Sequence, residues 1–156
     1  MSLIQASRRS VLIAATFVLL LAGALTAYYL RPRTSNALPQ PGSPQYEAYD
    51  DAFQRGVAGL DGDLPQVAEP SLSEAIELIP EEPAAWANRG LLYLRTNQLD
   101  KSGRDLEQAE KLAPGHPGIA QLMGLLEQAR GKFGAAAAHF RRAIEDRKST
   151  RLNSSH

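Results

Sequence analysis

A single interval of 34 residues organises most of this chain. Ala52, Trp86 and Ala120 are spaced by it, and so are Gly56, Gly90 and Gly124. A small residue recurs at Ala68, Ser102 and Ala136, a large apolar one at Leu72, Leu106 and Phe140, and alanine at Ala75, Ala109 and Ala143. Proline closes the first two units at Pro80 and Pro114. A period of this size means one supersecondary unit stacked on its copies, because each unit buries its apolar face only against a neighbour.

Within 83–95, Trp86, Gly90, Leu91, Tyr93 and Leu94 are spaced by threes and fours, which is a helical apolar stripe. A helix-interior glycine costs about 1 kcal/mol against alanine. Three of them at equivalent places therefore point to a close helix–helix approach, with Ala68, Ser102 and Ala136 as the expected small partners. Pro83 and Pro117 suit a first helical turn, and Gly62, Pro80, Gly115 and Gly131 supply the breaks. The pattern predicts helices near 47–60, 66–79, 84–96, 99–112, 117–130 and 133–145.

These columns resemble the tetratricopeptide repeat (TPR), a helix–turn–helix unit. The middle unit, 83–116, carries Trp86, Gly90, Tyr93, Ala109 and Pro114 where that pattern wants them. The third unit, 117–150, keeps Gly124, Ala136, Phe140 and Ala143, with Met123 at an apolar place and Glu127 where an aromatic is usual. The first unit, 49–82, diverges most, with Ala52 for the tryptophan, Gly59 for the tyrosine and Pro65 in the turn. The fold expected is all-α: a TPR-type solenoid of three repeats and six helices over 46–145, preceded by one transmembrane helix.

That transmembrane helix is expected at Val11 to Leu30, an uncharged run of twenty residues, which is about the length that spans a hydrocarbon core. Arg8 and Arg9 precede it after a short tail, 1–10, and Arg31 and Arg33 follow; Tyr28 and Tyr29 stand at the interfacial end. The expectation is a single-pass anchor, or uncleaved signal, with the repeats outside the cytoplasm in the periplasm. A cleaved signal is the rival, because Ala22-Gly23-Ala24 offers small residues to a peptidase and Ser7-Arg8-Arg9 resembles a twin-arginine export signal. Residues 31–45 hold Pro32, Pro39, Pro41 and Pro44 and read as a semi-rigid spacer. At the other end, Asp146 to His156 matches codon for codon the translation of a common sequencing adapter. Residues 146–156 are accordingly expected to be a non-native tail, with the gene continuing past Glu145. The outer face of 133–145, with Ala137, Phe140 and Ile144, should then lie uncovered.

The chain has no cysteine, which excludes disulfides, thiolate metal sites and cysteine nucleophiles. Its formal charge is zero but unevenly spread. The first repeat sets nine acids against Arg55, a net charge of −8, whereas 117–145 carries a net +2. No basic stripe with interleaved aromatics speaks for nucleic acid. Asp61-Gly62-Asp63 hints at a calcium loop, but the twelfth place is Leu72 instead of a bidentate glutamate. His116 and His139 lack partners at zinc-ligand spacing, and there is no phosphate loop or nucleophile elbow. No catalytic residue, metal, cofactor or small-molecule substrate is expected.

The resemblance implies instead a groove lined by the first helix of each pair: Phe53, Val57 and Leu60; Ala87, Asn88, Leu91 and Arg95; Gln121, Leu125 and Gln128. Asn88 matches an asparagine that orients a bound peptide backbone in this family, although a helix-stabilising role fits equally. The lysine, arginine and asparagine clamp that one subfamily uses for a terminal carboxylate is missing, since Phe53, Val57, Gly118 and Leu122 stand at those places. The function implied is a membrane-tethered interaction module that binds a protein or peptide segment and assembles a complex at the bacterial envelope. The alternative is the head of a larger exported protein with its working domain, such as an FG-GAP-type β-propeller, downstream.

Overall fold

The computed structural model describes residues 39–153, with side chains to Arg147. Six helices follow one another: α1 Pro44–Asp61, α2 Pro65–Leu78, α3 Pro83–Arg95, α4 Leu99–Leu112, α5 Pro117–Ala129 and α6 Phe133–Asn153. Proline opens four of them at the first turn, where its missing N–H has no intrahelical partner to lose. Ser43 caps α1, its Oγ accepting from Tyr46 N at 3.3 Å. The expected transmembrane run, 11–30, lies outside the described residues. No helix among the described residues is long and apolar enough to cross a membrane.

The turn inside each pair is the same turn three times. Asp63 (φ 53), Asn97 (φ 59) and Gly131 (φ 76) occupy one repeat position and all adopt the left-handed conformation. Aspartate, asparagine and glycine are the residue types that tolerate it. The next residue's amide then closes a six-residue cap: Leu64 N to Gly59 O at 2.7 Å, Gln98 N to Tyr93 O at 2.7 Å, Lys132 N to Glu127 O at 2.8 Å. This satisfies carbonyls that the helix end would otherwise orphan.

The glycine column lets a large side chain in. An added Cβ would lie 2.6 Å from Leu72 Cγ at Gly56, 2.8 Å from Leu106 Cδ2 at Gly90 and 2.5 Å from Phe140 Cε1 at Gly124. The small-against-small packing expected from the sequence is thus only part of the contact. Ala68 meets Gly59 instead, its backbone N being 2.8 Å from a Cβ built there. Ser102, fully buried, donates its Oγ to Gly90 O at 2.8 Å. Each glycine is the hole into which the second helix's largest knob fits.

Two core clusters tie the first two repeats together. Tyr49, Ala52, Ala75, Ile76, Ile79 and Ala85 form one, with Trp86 packed against it; Leu60, Ala68, Leu72 and Leu92 form the other. Trp86 remains half-buried, its indole N–H donating to Pro80 O at 2.8 Å. The last helix corrects the expected end at Glu145, because it runs to Asn153. After Gly134 nothing in the chain breaks a helix until that point, and Arg142 pairs with Asp146 at 3.6 Å one turn on. Its outer face is open at Ala137 and Ile144, but Phe140 corrects the expectation: it is half-buried, its ring turned inward against Gly124 on α5. Ile144 is 56% exposed, whereas Ile76, the same position two repeats earlier, is 6% exposed under the next unit.

Candidate partner-binding groove

The first helices α1, α3 and α5 touch in sequence, and α2, α4 and α6 back them. Where α3, α5 and the start of α6 meet, an open depression of about 700 Å³ is lined by Leu91, Leu94, Arg95, Leu125, Gln128, Ala129 and Phe133. Repeat register explains the lining. Leu91 and Leu125 are one repeat position, Leu94 and Gln128 a second, Arg95 and Ala129 a third. Phe133 opens α6 and is 70% exposed, the most exposed large apolar side chain among the described residues.

Four expected groove residues, Leu91, Arg95, Leu125 and Gln128, come together here. Arg95 is held at the rim: its Nη1 donates to Leu60 O at 2.8 Å, a carbonyl that also accepts from Asp63 N at 3.4 Å. The guanidinium therefore caps the negative end of α1 and locks the second unit to the first. The remaining expected residues lie elsewhere. Leu60 is 4% exposed and belongs to the core, so it has no face to offer a partner. Phe53 is half-buried, stacked on Tyr49 at 5.8 Å and packed into both clusters. Val57 is half-buried on α1, and Gln121 is exposed on α5 beyond the depression. Asn88 spends its amide donor on Ala84 O, 2.8 Å away in its own helix, which is the helix-stabilising role.

Leu94, Ala129 and Phe133 were not foreseen. The first two follow from carrying the register of Gln128 and Arg95 to the neighbouring unit. Phe133 lies outside the repeat columns, and only its exposure identifies it.

A partly buried ionic network was also missed. Arg89 donates Nε to Asp105 Oδ2 at 2.7 Å and Nη2 to Oδ1 at 3.1 Å, a two-pronged pair, and Nη1 to Ser73 Oγ at 3.0 Å. Its guanidinium lies 5.2 Å from the Trp86 ring centroid and 5.9 Å from that of Tyr93. Tyr93 in turn donates to Glu69 Oε1 at 2.8 Å, with Lys101 above its ring at 4.8 Å. Burial works against the Arg89 charge, but the bond and attraction to Asp105 outweigh it and hold its pKa above the ordinary value. Burial, then the bond to Glu69, pushes the Tyr93 hydroxyl up to about 12. A partial signal was present: Arg89 shares its repeat position with Arg55, which also pairs with an acid of its second helix, Glu74, at 2.6 Å, whereas the third unit has Met123 there. The network joins α2, α3 and α4, so its work is to fix two repeats against each other. In the third unit, Arg130 bonds Glu127 at 2.9 Å, which with Lys132 holds that carboxyl below its ordinary range. Among the described residues no group of three or more acids or histidines is placed to hold a metal.

The tetratricopeptide repeat family model matches residues 83–116. A search of curated proteins finds no match. Among solved structures, MamA is similar at 25% identity and TM-score 0.61, over 67% of this chain and 61% of MamA. The chain thus spans about three fifths of that protein. The TPR domain of Arabidopsis OM64 is 22% identical with TM-score 0.62, over 65% of this chain and 84% of that one. The second TPR of Spaghetti (RPAP3), solved bound to the HSP90 peptide SRMEEVD, is 19% identical with TM-score 0.59, over 64% and 94%.

Proposed function

From the premise that residues 44–153 have tetratricopeptide-repeat architecture, with the middle unit a match to that family, we propose that this chain is a membrane-tethered module that binds a protein segment and assembles a complex at a bacterial envelope. The observation that carries the binding role is the open apolar depression with Phe133 and Leu125 at its surface. Leucine and phenylalanine side chains left in water at the mouth of a concavity gain by being covered, at about 25 cal/mol per Å². The uncharged run 11–30 between arginine pairs supports the tether, and the proline-rich spacer supports a domain held off the bilayer.

A photo-crosslinking residue at Phe133, compared with one at the exposed Arg104 on α4, tests the binding role in the full chain. Adducts should form from position 133, should be sparse from position 104, and should vanish on adding Leu125→Asp. Equal adducts from both positions would end the groove assignment. Alkaline extraction tests the tether: the full chain should stay in the membrane pellet, and a soluble product beginning at Leu25 would overturn it.

A further inference from the structure

The groove changes character along its length. At the α3–α5–α6 end it is apolar, with Leu91, Leu94, Leu125 and Phe133. On α1 the positions equivalent to Leu91 and Arg95 are Val57 and Asp61, and one more helical repeat back along the same stripe stands Asp50. Asp50, Asp61 and Asp63 are all exposed, and none makes an ion pair among the described residues. Asp61 and Asp63 are adjacent to the depression, because Arg95, which lines it, reaches the Leu60 carbonyl at 2.8 Å, and Asp50 continues the acidic stripe away from it along α1. Asp50 and Asp61 lie about 16 Å apart along the helix at 1.5 Å per residue. Three carboxylates against one guanidinium, which is itself committed to a carbonyl, leave this rim negative in a unit whose net charge is −8.

We propose that the groove takes a protein segment with bulky apolar side chains at one end and lysine or arginine at the other. Its apolar end fills the depression over Leu125 and Phe133, and its basic end lies along Asp61, Asp63 and Asp50. This rests on the groove-binding role proposed above and adds the partner's chemistry and direction. Charge complementarity is the ground for it. A basic end is drawn to the α1 rim, whereas an acidic end meets like charge at the same place, so the rim both selects the partner and sets its orientation. The apolar contact supplies residence, since it survives salt; the charge contact supplies discrimination and is screened as the Debye length falls from about 10 Å at 0.1 M salt to about 3 Å at 1 M.

The test uses the full chain in zwitterionic nanodiscs, with empty nanodiscs as the blank, and two labelled peptides of equal length. One joins a Leu/Phe half to a Lys/Arg half; the other replaces the basic half with Glu. Fluorescence anisotropy should show the basic-ended peptide at least about tenfold tighter at low salt, with the gap shrinking as salt rises. The variant D50K/D61K/D63N should bring the two peptides within about twofold of each other. Asparagine is chosen at 63 because that position is left-handed. The variant L125D/F133S, at exposed positions, should weaken both peptides, and unchanged melting shows that either variant is folded. Equal binding of both peptides to the unmodified chain overturns the charge assignment and leaves the groove role standing. Binding of the basic-ended peptide that L125D/F133S does not weaken overturns the proposal, since the peptide is then held by the acidic surface alone. If neither peptide binds, the groove role falls with it.

Discussion

Gly90→Ala sets two effects of opposite sign against each other at the centre of the repeat. Alanine favours a helix interior over glycine by about 1 kcal/mol. The added methyl, however, would sit 2.8 Å from both Cγ and Cδ2 of Leu106, with the Leu106 amide N at 3.5 Å behind them. Carbon atoms rest at about 3.5–4.0 Å, so the overlap is nearly 1 Å against a branch point and not a flexible tip. Relief needs a strained Leu106 rotamer or a helix shift, and overpacking of this kind costs about 1–3 kcal/mol. The net expectation is a loss of about 0–2 kcal/mol, with no gain in stability, read as a lower or unchanged urea midpoint at unchanged m-value. Leu106→Ala alone should cost about 2–5 kcal/mol. Once that knob is gone, Gly90→Ala should change sign and become stabilising by up to about 1 kcal/mol. Gly134→Ala is the control, since nothing lies within 4 Å of a Cβ there, and it should be neutral or stabilising. If Gly90→Ala stabilises the unmodified chain, the knob-in-hole account of the glycine column is wrong.

The same logic applies to three other places. Ile76→Ala should cost about 2–5 kcal/mol, whereas Ile144→Ala, at a site 56% exposed, should cost about 1 kcal/mol or less; equal losses in urea melts would show that α6 is covered. Truncating one partner of the largely buried pair, by Arg89→Met or Asp105→Ala, should cost about 1–4 kcal/mol, below a fully buried pair because Arg89 keeps some solvent, while the apolar double replacement R89M/D105L should recover most of that in a double-mutant cycle. Tyr49 and Tyr93 are both pushed up to about 12, the first by burial and then by Glu82. Their folded values lie above the unfolded value near 10, so their contribution is whole below about pH 10 and is lost as pH rises toward about 12. Far-ultraviolet circular dichroism should show alkaline unfolding across that window together with phenolate absorbance, and Tyr93→Phe should blunt it; phenolate appearing well before unfolding would contradict the burial argument.

The sequence by itself determined the period, the number of helices after the spacer and the starts of all but the first, which begins at Pro44 inside the expected spacer instead of near 47. Prolines at first turns and the breaks at Gly62, Pro80, Gly115 and Gly131 act through their own backbone preferences, so a local reading finds them, whereas the left-handed conformation of Asp63 and Asn97 is seen only in the structure. It also named four of the residues that line the depression, Leu91, Arg95, Leu125 and Gln128, through the repeat register that the family resemblance supplies. Contacts between units were decided only by the tertiary structure. Whether Gly90 opposes Ser102 or Leu106, whether Leu60 faces solvent or the core, and whether Arg89 finds Asp105 all depend on how far each helix is rotated and shifted against the next. That rotation is the balance of many packing contacts at long sequence separation. No single residue encodes it, and the exposure of Phe133 becomes visible only once it is set.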